Sequence, residues 1–217
     1  MNEQTKIFLE ELKQRTNVLG VIMFGSWARG NNRSDSDVDL VVILTEGYSR
    51  AVEYRGGQAF EIIYTTEKGA FDHWESNKDD AAGLWAVAKI LFDRDGTIDR
   101  LKIKIKEVLN IGKKPIDEYQ FEQFRFDSDD ALKYVETILI IDPTSANLIL
   151  TDKIFSLTEL FFDIQQIWIP PPKQRLIKIK EVSFNFYVLL FEFYQEPTTL
   201  KMKLELAKKI VQFIFEK

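Results

Sequence analysis

Asp37 and Asp39 place two carboxylates on either side of one apolar residue, within Ser36-Asp37-Val38-Asp39-Leu40-Val41-Val42. An extended strand turns alternate side chains to one face, so both acids project together while Val38 packs behind them. At about 3.3 Å per residue they stand roughly 6–7 Å apart along the strand, a span that grips divalent cations about 3.5–4 Å apart. Two like charges on one face otherwise repel, so the pair calls for a cation. Ten residues separate Asp37 from Ser26, where the apolar run Val18 to Phe24 ends in Gly25-Ser26. Glycine lets backbone approach a phosphate closely, and serine adds a hydroxyl at the positive end of a following helix. Hard oxygen ligands beside an anion site predict Mg²⁺ holding a polyphosphate.

Such a centre needs a third carboxylate, either to complete the metal site or to take the proton from an attacking hydroxyl. Glu61 in Ala59-Phe60-Glu61-Ile62-Ile63 is an acid between apolar neighbours, on the second arm of a hairpin that can lie beside the Asp37–Asp39 strand. Glu53, between Val52 and Tyr54, competes for the role, because a different strand order would bring it forward.

The pattern Gly-Ser, ten residues, Asp-x-Asp, then an acid between apolar residues on a later strand resembles the signature of the polymerase-β-type nucleotidyltransferases. It is most similar to the small bacterial branch that contains antibiotic nucleotidyltransferases and the minimal nucleotidyltransferase proteins. The resemblance spans about residues 18–65. It implies metal-dependent transfer of a nucleoside monophosphate from an NTP, ATP by default, to a hydroxyl, with pyrophosphate leaving. By position it implies that Gly25 and Ser26 hold the β- and γ-phosphates and that Asp37 and Asp39 bind two Mg²⁺ ions. Glu61 is then the third ligand or the general base, and Arg29 a phosphate contact one turn into the helix. The implied acceptor is a hydroxylated small molecule, such as an aminoglycoside-like or lincosamide-like antibiotic. The alternatives are a protein or RNA acceptor, as in toxin–antitoxin minimal nucleotidyltransferases, and a non-catalytic nucleotide-binding module. Trp168-Ile169-Pro170-Pro171-Pro172-Lys173 is similar to a segment of some relatives and marks Lys173 as an acceptor or phosphate contact.

Placing these residues takes an α+β chain in two parts. All ten glycines lie between Gly20 and Gly112 and all six prolines between Pro115 and Pro197, a change in backbone punctuation that marks a boundary at 112–116. Residues 1–112 are the expected catalytic domain. They comprise a helix over 3–16, strands over 18–24 and 37–44, and a hairpin in which Gly56-Gly57 joins 51–55 to 58–65. Helices over 67–78 and 80–89, a short strand over 90–92 and a helix over 97–109 complete one small mixed sheet with its flanking helices. Residues 116–217 read as an antiparallel four-helix bundle that binds the acceptor or forms a homodimer. Its segments are broken by Pro143, Pro170-Pro171-Pro172 and Pro197; 173–195 counts as one helix, with a strand over 184–188 as the lesser reading. Asp127, Asp129 and Asp130 read as an exposed helix start favoured by the dipole, and His73 as a packing or surface residue.

Composition narrows the chemistry. The chain has 217 residues, no Cys and one His, which excludes thiolate catalysis, disulfides and Cys-based zinc sites. A net charge of −5 disfavours bulk nucleic-acid binding. The first residues show no basic stretch followed by an apolar run, and no apolar segment of membrane-spanning length follows, so a cytoplasmic protein without a membrane partner is expected.

Overall fold

The computed structural model describes residues 1–196 and 198–216. Its fold is α+β, in two compact units, Met1–Gly112 and Lys113–Lys217. Pro197, expected as a helix breaker, lies outside the described residues.

The first unit runs α1 (Glu3–Gln14), β1 (Val18–Phe24), α2 (Gly25–Arg29), β2 (Val38–Leu44), β3 (Ser49–Arg55) and β4 (Gln58–Thr66). It continues through α3 (Glu67–Ser76), α4 (Lys78–Trp85), β5 (Lys89–Asp93) and α5 (Thr97–Asn110). The five strands form one sheet in the order β3-β4-β2-β1-β5. Only β2 and β4 pair in parallel; the other three pairings are antiparallel. Gly56 and Gly57 have φ of 54° and 83°, the sign that a two-residue turn of the primed type demands between Arg55 and Gln58.

Alternation along the strands divides the core. Val38, Leu40 and Val42 of β2 and Phe60, Ile62 and Tyr64 of β4 pack under Phe8, Leu9 and Leu12 of α1. On the opposite face Ile22, Val41 and Ile43 meet Ala70 and Trp74 of α3 and Ile98, Leu101 and Ile105 of α5. Arg94 ties α1 to the sheet, its guanidinium donating to the carbonyls of Lys13 and Val18 at 2.8 and 2.9 Å. His73 is exposed in the last turn of α3, where its carbonyl accepts from the Asn77 amide at 2.9 Å.

The second unit consists of α6 (Glu118–Ile138), α7 (Pro143–Ile164), α8 (Pro172–Val182), α9 (Phe184–Tyr194) and α10 (Leu200–Phe215). Five helices among the described residues replace the expected four, because 173–195 breaks at Ser183. Ser183 is extended (φ −148°, ψ 101°) and its hydroxyl accepts from Phe186 N at 3.3 Å, so a side chain caps a new helix where apolar periodicity alone reads as continuous. The same geometry settles 184–188 as helix. Asp127, Asp129 and Asp130 lie in the middle of α6 rather than at its start. That start is capped by Asp117, which accepts from Gln120 N at 2.9 Å.

Phe186, Leu190 and Phe193 face inward on α9, and Phe186 stacks between Phe161 and Phe213 at 4.5 and 5.2 Å. No helix among the described residues is long and apolar enough to cross a membrane. Phe186→Ala is expected to lower the unfolding free energy of the second unit by about 3–5 kcal/mol. Phe184, 60% exposed, is expected to lose less than about 1 kcal/mol on the same truncation. Urea titrations of the two variants compare these directly, and equal losses would contradict the helical register.

Candidate active site

Strand register brings the acids together. Asp39 on β2 pairs with Phe24 of β1 on one side and with Glu61 of β4 on the other, and Glu61 in turn faces Val52 of β3. Paired residues share a face, so Phe24, Asp39, Glu61 and Val52 form one row across the sheet. Asp37 directly precedes β2, two residues from Asp39 and therefore on that face. One carboxylate oxygen from each of Asp37, Asp39 and Glu61 lies within 4.8 Å of the others. Asp37 is exposed, and Asp39 and Glu61 are half-buried.

The loop that delivers Asp37 is held by its neighbour's backbone. The Ser36 carbonyl accepts from the Trp27 indole at 3.3 Å and from the Gln58 side-chain amide at 2.8 Å. Gln58 is itself fixed by Asn2, which donates to it at 2.6 Å. Asp35 turns away to Arg33, whose Nε donates to it at 2.9 Å. That hydrogen bond and the guanidinium charge hold the Asp35 carboxyl below its ordinary value, so it remains an anion paired outside the triad.

Gly25 and Ser26 open α2 at the end of β1. Gly25 has φ 67°, and a Cβ built there would fall on the Asp39 carboxylate. Glycine is thus required by the acid that leans over it, a packing reason that the phosphate argument from sequence did not contain. Arg29 ends α2, half-buried, with its Nε buried and unpartnered among the described residues. An orphaned guanidinium N–H is a donor held ready for an acceptor.

Glu53 faces the other way. It pairs with Phe60 on the α1 face, where Arg55 donates to its Oε2 at 2.9 and 2.7 Å and also bonds Glu11. The Arg55 guanidinium lies 3.8 Å above the Phe8 ring, so Glu53 belongs to a structural network under α1. Lys173 stands exposed in the first turn of α8, in the second unit. Around it the basic residues are dispersed: Arg175 pairs with Glu159 at 2.8 Å and Lys178 with Glu181 at 3.0 Å.

Arg50 joins the site without a signature of its own in the sequence. Its Nη2 donates to Glu61 Oε1 at 3.0 Å from the neighbouring edge strand. The two-residue turn at Gly56-Gly57 fixes the hairpin register, so counting outward from that turn places Arg50 diagonally from Glu61 on the same face.

Three hard carboxylate donors converging at the end of a sheet suit a divalent cation such as Mg²⁺. The sequence model of the nucleotidyltransferase domain family matches residues 5–139, and the chain belongs to that family. Among solved structures it is similar to a nucleotidyltransferase-like protein from Exiguobacterium sibiricum 255-15, with a TM-score of 0.52 and 13% identity. That match covers 99% of this chain and 74% of the other, a likeness of fold. No curated protein matches the sequence.

The contact between Gly25 and Asp39 is open to a double-mutant cycle. Gly25→Ala alone is expected to cost about 2–3 kcal/mol, from a strained backbone and the displaced carboxylate. In an Asp39→Ala background the cost is expected to shrink to about 1–2 kcal/mol, the backbone part. Chemical denaturation of the four proteins measures this, and strict additivity would show that Asp39 does not impose the glycine.

Proposed function

We propose that this protein is a metal-dependent nucleotidyltransferase that moves a nucleoside monophosphate, AMP from ATP by default, to a hydroxyl of a small-molecule acceptor. The observation that carries the reading is the convergence of Asp37, Asp39 and Glu61 beside the Gly25-Ser26 turn in a chain of this family.

Asp37 and Asp39 would hold two Mg²⁺ ions, with Glu61 as a further ligand. Bound there, the ions supply positive charge against the phosphates and lower the barrier to in-line displacement. Gly25 and Ser26 present backbone and hydroxyl to the β- and γ-phosphates, and the unpartnered Nε of Arg29 adds a donor within the same helix. The acceptor hydroxyl oxygen forms a bond to the α-phosphorus as the bond from that phosphorus to the bridging oxygen breaks. Pyrophosphate leaves with the bond's electron pair, and the hydroxyl proton passes to the Glu61 carboxylate.

Acceptor recognition is assigned to the helical unit. Within that unit a cavity of about 440 Å³ between α7, α8 and α9 supports the assignment, lined by Leu148, Phe155, Leu176, Leu190 and Tyr194 with Arg175. Its lining is mainly apolar, which suits an acceptor with an alkyl or aryl flank, and Asp152, Thr151 and Thr158 add polar partners at the wall.

Calorimetric titration of ATP into the protein, with and without Mg²⁺, tests the donor site. Wild type is expected to bind only with Mg²⁺, and Asp37→Asn/Asp39→Asn to bind at least about a hundredfold more weakly while keeping its melting temperature. Equal affinity in the double variant, or no binding of any nucleoside triphosphate by wild type, would overturn the proposal.

A further inference from the structure

Arg50 is a cation in direct contact with the acidic triad, and the proposed chemistry gives it no task. It bonds Glu61 at 3.0 Å, and its side chain is 60% exposed against 42% for Glu61. Both groups are therefore open to solvent over a large part of their surface. Arg33, another nearby guanidinium, is committed to Asp35 at 2.9 Å and feels Asp37 only through space. Three carboxylates whose oxygens approach within 4.8 Å raise one another's energy, and the charge that relieves Glu61 comes from β3.

We propose that Arg50 is a displaceable counter-ion: it holds Glu61 while no divalent cation is bound, and it must release Glu61 before that carboxylate can serve as ligand or base. The inference rests on the metal-site reading above. Its physical basis is competition for one set of lone pairs. A guanidinium donating to Glu61 Oε1 takes up part of that carboxylate's acceptor capacity, and its positive charge repels an incoming cation. The exposure of the pair keeps the competition weak enough to lose, since an ion pair in water is worth about 1 kcal/mol or less. A buried pair at the same place would keep the cation out. Arg50 therefore acts through Glu61, as a positioning residue that sets how much metal the site requires.

The register supports this role over a purely structural one. Arg50 lies opposite Ile63, two residues along β3 from the Val52–Glu61 pair, so it reaches Glu61 diagonally on the face that carries the triad. Arg55, on the same strand, shows what a structural arginine looks like here: it lies over an aromatic ring, bonds two carboxylates and is 26% exposed. Arg50 bonds Glu61, a member of the triad, and remains largely exposed.

The test uses Mn²⁺ alone as the probe, titrated into the 217-residue protein and followed by the electron paramagnetic resonance of the free ion. Arg50→Gln is expected to bind Mn²⁺ about three- to tenfold more tightly than wild type, because it removes both the competitor and its charge. Arg50→Lys is expected to fall between them, keeping the charge but losing the planar fork. Circular dichroism melts of both variants are expected to match wild type, as for an exposed residue. Unchanged or weaker Mn²⁺ affinity in Arg50→Gln, with wild-type binding that depends on Asp37 and Asp39, would overturn the role of Arg50 and leave the metal site standing. Absence of Mn²⁺ binding in wild type and in all variants would overturn both.

Discussion

The parallel pairing of β2 with β4 is the constraint on which the site depends. In a simple meander β3 would follow β2 in the sheet, and Glu61 would lie two strands from Asp39. Instead the chain passes outward, forms β3 at the edge and returns β4 into the gap, so that Asp39 and Glu61 become direct neighbours. Backbone hydrogen bonds in the ladder then oppose the repulsion between their side chains. Two apolar layers, one under α1 and one under α3 and α5, hold the sheet against that repulsion at its polar end. Stability given up to such a cluster is characteristic of a functional centre.

Much of this is legible in residue type and spacing. Gly25-Ser26 and Asp37-x-Asp39 announce themselves in that way, and alternation around Glu61 and the Gly56-Gly57 turn locate the hairpin. Strand order is not legible, because period-two patterning tells which face a residue takes but not which strand lies next to it. Counting from the Gly56-Gly57 turn puts Glu53 and Glu61 on opposite faces of the hairpin, but which of those faces meets Asp39 waits on the strand order. The break at Ser183 is hidden for a related reason: a capping serine inside an apolar run leaves the 3.6-residue period almost undisturbed. Asp127, Asp129 and Asp130 mislead because acids favour helix starts, yet an exposed face in mid-helix accepts them equally well.

Compactness and family membership divide the chain differently. The first compact unit closes at Gly112, whereas the family match continues to residue 139, through the whole of α6. α6 is nonetheless built into the second core, where Leu132 and Val135 pack with residues of α7 and α10. The family match therefore takes in α6 together with the sheet that carries the acids.

The alternation of β3 has a consequence for how such a protein changes over generations. Ala51, Glu53 and Arg55 face the layer beneath α1, while Arg50, Val52 and Tyr54 face the open side, Val52 and Tyr54 with 64% and 77% of their surface in solvent. Substitutions at these outward positions remove little buried area, so drift there is nearly free of penalty to folding. Yet Val52 is the immediate neighbour of Glu61. The edge strand thus sets side chains that folding scarcely constrains directly beside one member of the acidic cluster.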